Sequence, residues 1–203
     1  MPGRVVQWRF ILGGNARWVD IGSDLIARFS AGHLSHVDSI IPDEGLSWAP
    51  RRWLYGARND KVGKDFAGRK IPAGVQLRPP GYTSYRRCVI ATIPVTDQQF
   101  ADFWQAEHEK IGLPYDSAAI WAFVFNRDWR EKDSWICSEK NMDSAEIAKF
   151  FWTSKLALTP NKMTPVFASG IASTIPGTYL YEVVPGTYPW VEVDLALNDF
   201  NAR

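Results

Sequence analysis

"RRCVIATIPVTDQQFADFWQAEHEKIG", residues 86–112, indicates the fold class because its residue pattern changes partway along. Residues 86–95 are mostly apolar and rich in β-branched side chains, which is typical of a strand. Thr96 or Asp97 can then cap a helix whose apolar side chains recur at helical spacing, and Gly112 ends it. Further strands are predicted before this stretch and a further helix after it. The order of elements therefore predicts an α+β fold and not a doubly wound sheet.

The neighbouring predicted elements are a pair of strands upstream and a helix downstream. Residues 36–41 ("HVDSII") and 51–58 ("RRWLYGAR") read as strands that can form a hairpin. Asp133 or Ser134 can cap the second helix, which then carries Cys137 near its start. The remaining assignments are a strand or irregular lead-in at 1–19, mainly loop at 59–82, and one strand-like stretch at 178–184.

Composition argues against several classes of partner and cofactor. The 203 residues include 23 Lys and Arg against 22 Asp and Glu, so the net charge of +1 indicates neither a nucleic-acid nor an anionic-membrane partner. The two cysteines form no zinc-like cluster with histidine, and we expect neither a metal nor another cofactor. The apolar stretch near the N-terminus is too short for a secretion signal, and no apolar run approaches the roughly 20 residues that span a bilayer. We therefore expect synthesis in the cytosol, without a Sec signal or a transmembrane segment.

Cys137 is the candidate nucleophile of the chain. A thiol attacks as the thiolate, and a position at a helix N-terminus next to an imidazolium lowers its pKa. The alternative is a small buried apolar residue behind its aromatic and aliphatic neighbours. Among the histidines, His36 opens a strand and is the preferred base, because a rigid element can hold the ring. His33 reads as a loop residue, and His108 lies on the apolar side of its helix.

Four stretches of the sequence carry a resemblance to a known family. They are "HLSHVDSIIPDEG" (33–45), "WLYGARNDKVG" (53–63), "IGLPYDSAAI" (111–120) and "WICSEK" (135–140). In this order they resemble the circularly permuted NlpC/P60 cysteine hydrolases, above all the YiiX/YebB-like group of bacteriophage and bacterial proteins. The histidine precedes the cysteine, which is the order that marks the permutation. The resemblance covers roughly residues 20–150.

The resemblance implies a papain-like core in which an antiparallel sheet packs on the helix that carries Cys137. Residues 1–155 would form the hydrolase domain, and residues 156–203 a C-terminal extension packed on it. Cys137 would attack a carbonyl carbon and His36 would transfer the proton. The implied substrates are amide bonds of peptidoglycan stem peptides. The implied setting is a bacteriophage tail, in which a virion-associated enzyme, in contact with tail proteins, would open the cell wall. Some branches of the superfamily cleave lipid or other acyl bonds instead.

The chain differs from the family pattern at the residue that orients the histidine ring. That residue usually comes from the strand after the histidine strand, and Gly56 stands in its place. Asn59, Asp38 or a main-chain carbonyl can substitute, and Asn59 is the preferred third catalytic residue. Because glycine orients nothing, the departure also favours an alternative function: a structural or binding module of the same fold with a weakened site.

The other candidate site residues lie in the third and fourth stretches. Tyr115 is expected to direct its hydroxyl towards the oxyanion or substrate, or else to be a core tyrosine. Ser138 and Glu139 follow the cysteine and are expected to support the site, Glu139 through an ion pair or a bond to a neighbouring loop. Lys140, where the family often has an apolar residue, is expected to be a solvated helix position.

Overall fold

The structure is a computed structural model that describes residues 3–13, 34–58, 70, 73–83, 85–116, 135–150 and 164–183. These residues contain six strands and three helices, which confirms the α+β class. In chain order the elements are β1 (Arg4–Gly13), β2 (His36–Ile40), β3 (Leu54–Arg58), β4 (Gly74–Arg78), β5 (Tyr85–Val95), α1 (Asp97–Glu109), α2 (Cys137–Ile147), α3 (Pro165–Thr174) and β6 (Tyr179–Val183). None of the described helices is both long and apolar enough to cross a membrane.

The strands form one antiparallel sheet in the order β4-β3-β2-β1-β5-β6. The lead-in that the sequence left open is β1, a ten-residue strand that lies between β2 and β5. β4 falls in the stretch that was assigned mainly to loop. β6 pairs with β5, so this strand of the C-terminal extension belongs to the same sheet.

The sheet is apolar on both faces. On one face the principal core joins β1, through Trp8 and Phe10, to Phe103 of α1 and to Cys137 and Met142 of α2. On the other face lies a smaller cluster, called the second cluster below, made of Ile11, Ile40, Leu54, Cys88, Ile90 and Val183. Because successive side chains of a strand point to opposite faces, β1, β2, β3 and β5 contribute to both clusters.

Helix α1 begins as predicted, whereas the predicted cap of α2 is wrong. Thr96 caps α1 in a capping box with Gln99. The N-cap of α2 is Ile136, not Asp133 or Ser134, and its side chain makes no capping hydrogen bond. The reason is local pairing: the Trp135 N–H donates to the Pro114 carbonyl at 3.0 Å, in a parallel bridge between Tyr115 and Trp135. This pairing holds Trp135 extended, so the helix starts only after it.

Candidate active site

Cys137 and His36 meet at the starts of two elements. Cys137 is the first residue of α2 and His36 the first residue of β2. The two side chains are hydrogen-bonded to each other, and the Val37 backbone also hydrogen-bonds the Cys137 sulfur. Both are buried, with 2% of Cys137 and 5% of His36 exposed. The structure thus brings together the two residues that the sequence singled out as nucleophile and base.

The contact between Cys137 and His36 lies where β2 and β3 are no longer paired. His36 shares a face of β2 with Ile40 of the second cluster, whereas Cys137 packs in the principal core on the opposite face. β2 and β3 are paired at only two positions, Ser39 with Tyr55 and Ile40 with Leu54. The His36 end of β2 is therefore not hydrogen-bonded to β3, and we infer that the sulfur reaches the imidazole through this opening.

Asp38 orients the ring of His36. It lies two residues along the same strand and therefore on the same face, and its Oδ1 is 2.7 Å from His36 Nε2. Because a carboxylate only accepts, Nε2–H is the donor, and we infer that Nδ1 faces the sulfur. The second oxygen of Asp38 accepts from Arg9 Nη2 at 2.6 Å, and Arg9 lies directly opposite Asp38 on β1. His36, Asp38 and Arg9 thus form a continuous buried chain.

Gly56 leaves the space that Asp38 fills. A Cβ atom at position 56 would lie 2.2 Å from Asp38 Oδ1 and 3.5 Å from His36 Nε2. An orienting side chain on β3 would project into this same volume. The orienting carboxylate therefore comes from β2, the strand that carries His36, and the glycine at position 56 leaves the space for it.

Opposite pKa shifts favour charge separation between the sulfur and the ring. Burial alone would lower the pKa of His36, yet Asp38, Tyr82 and Cys137 hold it well above its ordinary value. Burial alone would raise the pKa of Cys137, but the hydrogen-bonded His36 and the Val37 backbone bring it below that of an ordinary thiol. Both pKa shifts act in favour of a thiolate beside an imidazolium.

Asp38 remains ionised in this pair. Desolvation would raise its pKa, but the positive charges and hydrogen bonds of His36 and Arg9 hold it well below its ordinary range. Arg9 is itself fully buried; desolvation works against its charge, while Asp38 raises its pKa. A buried carboxylate with two cationic partners is a fixed negative charge that stabilises the imidazolium.

The remaining predicted site residues are placed as follows. Asn59 lies outside the described residues. Tyr115 is half-buried and packs against the principal core, in the extended segment bonded to Trp135. Ser138 and Glu139 are fully buried in the first turn of α2, each with a polar partner. The roles of these four residues stay predictions.

The expectation that Lys140 is solvated is wrong. Lys140 is fully buried and its Nζ forms an ion pair with Glu107 Oε2 of α1. The same ammonium lies 4.2 Å from the ring centroid of Tyr55, whose hydroxyl donates to the Glu107 carbonyl at 2.5 Å. The side chain is buried because α2 packs against both α1 and the sheet. This ion pair ties the helix that carries Cys137 to its neighbour.

Cys88 is not part of the Cys137–His36 contact, although the charges of Arg9 and Asp38 act on its thiol. It sits in the second cluster with 1% exposure, and burial raises the pKa of its thiol to about 11. His108 is exposed on α1 and stacks on Trp48 with ring centroids 4.8 Å apart. Neither residue contributes to the Cys137–His36 contact.

Sequence reasoning missed two residues that touch the site, Arg9 and Tyr82. The Tyr82 hydroxyl lies 3.0 Å from Asp38 Oδ2 and 3.1 Å from His36 Nε2. No local pattern points to either residue, since both come from regions without a motif. For Asp38 a signal did exist, because a polar residue at i+2 on a strand shares the face of residue i.

Comparison with models of known protein families gives no match for this chain, and a search of curated proteins finds no significant relative. Within the described residues, no group of three or more His, Cys, Asp and Glu side chains is placed to hold a metal ion.

Proposed function

We propose that this chain is a thiol hydrolase, with Cys137 as nucleophile and His36 as proton carrier. The observation that supports it is the buried hydrogen-bonded series Cys137, His36 and Asp38, in which the pKa of the thiol is lowered and that of the imidazole is raised. A structural cysteine needs neither an imidazole partner nor a lowered pKa. Perturbed pairs of this kind cluster at functional sites.

The geometry suits acyl transfer through a thioester. The Cys137 thiolate attacks the carbonyl carbon, and the His36 imidazolium protonates the departing amine as the C–N bond breaks. A water molecule, deprotonated by His36, then attacks the thioester, which releases the carboxylic acid and restores the thiol. Asp38 keeps the ring in the required tautomer throughout.

The start of α2 can stabilise the oxyanion. The first N–H groups of a helix have no intrahelical acceptor, and the first intrahelical bond of α2 is the one from the Lys140 N–H to the Ile136 carbonyl. Of the three described helices, α1 and α3 are capped by the threonines Thr96 and Thr164, whereas α2 has no side-chain cap. The N–H groups at the start of α2 lie next to the nucleophile and are donors of the kind that a tetrahedral intermediate requires.

The resemblance to the permuted NlpC/P60 hydrolases supplies the proposed fold family and substrate. We propose a permuted papain-like core that cleaves amide bonds of peptidoglycan stem peptides, in a phage tail-associated, wall-opening role. The antiparallel sheet, the cysteine at a helix start and the histidine at a strand start are compatible with that core. The alternative of a weakened binding module depended on the missing orienter at Gly56. Asp38, whose Oδ1 lies 2.7 Å from His36 Nε2, can act as the orienter and so weighs against that alternative.

Hydrolysis assays test the proposal. Purified peptidoglycan and acyl p-nitrophenyl esters would be incubated with the wild type and with Cys137→Ser, and new amino groups, released nitrophenol and product masses measured. We expect amide cleavage by the wild type and a loss of at least about 10³-fold in Cys137→Ser. Cleavage of esters alone would assign a lipid or acyl substrate. Peptidoglycan binding without turnover would support the binding module, and equal turnover by Cys137→Ser would exclude Cys137 as nucleophile.

A further inference from the structure

We infer that Tyr82 is a positioning residue of the site, whose hydroxyl holds the Asp38 carboxylate against the His36 ring. This inference rests on the proposed function. Tyr82 precedes β5 in the segment after β4 and belongs to none of the four stretches that carry the family resemblance. Its assignment comes from three contacts and from the packing of its ring.

The hydroxyl of Tyr82 touches both members of the His36–Asp38 pair. Its oxygen lies 3.1 Å from Asp38 Oδ1, 3.0 Å from Oδ2 and 3.1 Å from His36 Nε2. Nε2–H already donates to Oδ1 at the shorter distance of 2.7 Å. The single hydroxyl proton is therefore donated to the carboxylate, which only accepts.

Together, three donors surround the Asp38 carboxylate. His36 and Tyr82 approach Oδ1, while Arg9 and Tyr82 approach Oδ2. Asp38 is fully buried, so the hydroxyl takes the place that a water molecule would have on an exposed carboxylate. Without this donor the carboxylate would keep only its two cationic partners and would be free to rotate about its last bond.

The ring of Tyr82 is itself held in place from three strands. The guanidinium carbons of Arg9, Arg58 and Arg78, on β1, β3 and β4, lie 5.3, 5.3 and 5.6 Å from the ring centroid. The Tyr82 N–H donates to the Pro79 carbonyl at 3.1 Å in a turn, and the ring packs against the second cluster. A hydroxyl fixed to this degree is an effective positioning group, since little freedom remains to be lost.

The effect of Tyr82 on the chemistry has a definite sign. Among the described residues, the charged or titratable groups that act on the His36–Asp38 pair are Cys137 and Lys140 from α2, Arg9 from β1, Cys88 from β5 and Tyr82, whose ring also contacts Arg58 of β3 and Arg78 of β4. Hydrogen bonding from Tyr82 holds the Asp38 carboxylate against Nε2–H, and Tyr82 contributes to the raised pKa of His36. Loss of the hydroxyl loosens the bond from Nε2–H to Oδ1, so the imidazolium is stabilised less and the pKa of His36 falls. His36 then becomes a weaker base for thioester hydrolysis.

The test compares Tyr82→Phe with Tyr181→Phe. Tyr82→Phe keeps the ring and its arginine contacts and removes only the hydroxyl. Tyr181 is a half-buried tyrosine on β6 that packs against the same second cluster, so Tyr181→Phe is the same chemical change without the contact to Asp38. In hydrolysis assays Tyr82→Phe is expected to lower kcat about 10- to 100-fold, the size of a hydrogen bond to a charged group, with KM changed less than about twofold.

Histidine ¹⁵N NMR gives a second measurement that needs no turnover. Spectra of both variants are recorded against pH, with His36→Ala used for assignment. The His36 titration in Tyr82→Phe is expected to move to lower pH, and that of Tyr181→Phe is expected to coincide with the wild type. A Tyr82→Phe titration that is unchanged or moves to higher pH overturns the inference. The NMR titration requires only folded protein. If the protein shows no hydrolase activity, the proposed function is refuted, but this test of Tyr82 remains valid.

Discussion

Asp38 occupies the volume that a side chain at Gly56 would need, since a Cβ there would lie 2.2 Å from the Asp38 Oδ1 atom. The two residues are on neighbouring strands, β2 and β3, that separate beside the site. The glycine therefore has a positive role: it admits the carboxylate that orients His36.

Replacement of Gly56 by alanine is expected to impair both stability and activity. Asp38 cannot simply withdraw, because its second oxygen is bonded to the buried Arg9 at 2.6 Å. Overpacking of this kind costs about 1–3 kcal/mol. The matched control is Gly170→Ala on α3, where an added Cβ meets nothing within 4 Å. Urea denaturation and hydrolysis rates would be measured for both variants, and a Gly56→Ala protein as stable and active as the control would contradict the geometry.

The orienting residue is tested by comparing Asp38→Asn with Asn59→Ala. Asp38→Asn removes the charge that stabilises the imidazolium and allows the wrong tautomer of His36, so kcat is expected to fall by about 10²- to 10⁴-fold. Asn59→Ala is expected to leave most activity if Asp38 alone orients the ring. Activity lost in Asn59→Ala and retained in Asp38→Asn would return the role to Asn59, as the sequence first indicated.

Alkylation at controlled pH distinguishes the two cysteines. The pKa of Cys137 is lowered by its hydrogen-bonded His36, so its thiolate persists as the pH falls below the ordinary thiol range. The pKa of Cys88 is about 11 because of burial, so Cys88 stays protonated near neutrality. Iodoacetamide labelling between about pH 5 and 9, read by peptide mass spectrometry, is expected to modify Cys137 far faster.

The His36→Ala variant is the control for this labelling experiment. Without the imidazolium, burial dominates, and the Cys137 labelling rate at about pH 6 is expected to drop sharply. Faster labelling of Cys88 than of Cys137 in the folded wild type would refute the assignment of the nucleophile.

The buried ion pair between Lys140 and Glu107 is expected to hold α2 against α1. Lys140→Met leaves the Glu107 charge buried without its partner, which costs about 3–5 kcal/mol of unfolding free energy. The exposed pair of Arg87 with Glu182, at 2.9 Å, is the control, and Arg87→Met is expected to cost at most about 1 kcal/mol because solvent screens it.

The double variant Lys140→Met with Glu107→Leu completes the test of this ion pair. It is expected to recover most of the loss, since no unpaired charge remains buried. Chemical denaturation measures all of these variants. A Lys140→Met protein no less stable than Arg87→Met would show that the buried pair contributes little.

Local sequence patterns were sufficient for the elements with strong signals. The apolar run at 86–95 predicted β5, and the Thr96 cap with helical spacing after it predicted α1. His36 and Cys137 were recognisable as candidates because each carries reactive chemistry at the start of a predicted element. Such signals lie within a few residues of each other, so they are present in the sequence before any tertiary contact forms.

Only the tertiary structure decided which distant side chains complete the site. Arg9 reaches Asp38 across 29 positions and Tyr82 reaches it across 44, while Lys140 meets Glu107 across 33. These contacts depend on β1 lying beside β2 and on α2 packing against α1, arrangements that no local pattern specifies. The free energy that favours these arrangements comes from burial of the apolar faces of whole helices and strands. That burial depends on how the complete chain packs and not on any short stretch of sequence. For this reason the sequence indicated the candidate nucleophile and base, whereas the fold determined which groups position them and stabilise their charged forms.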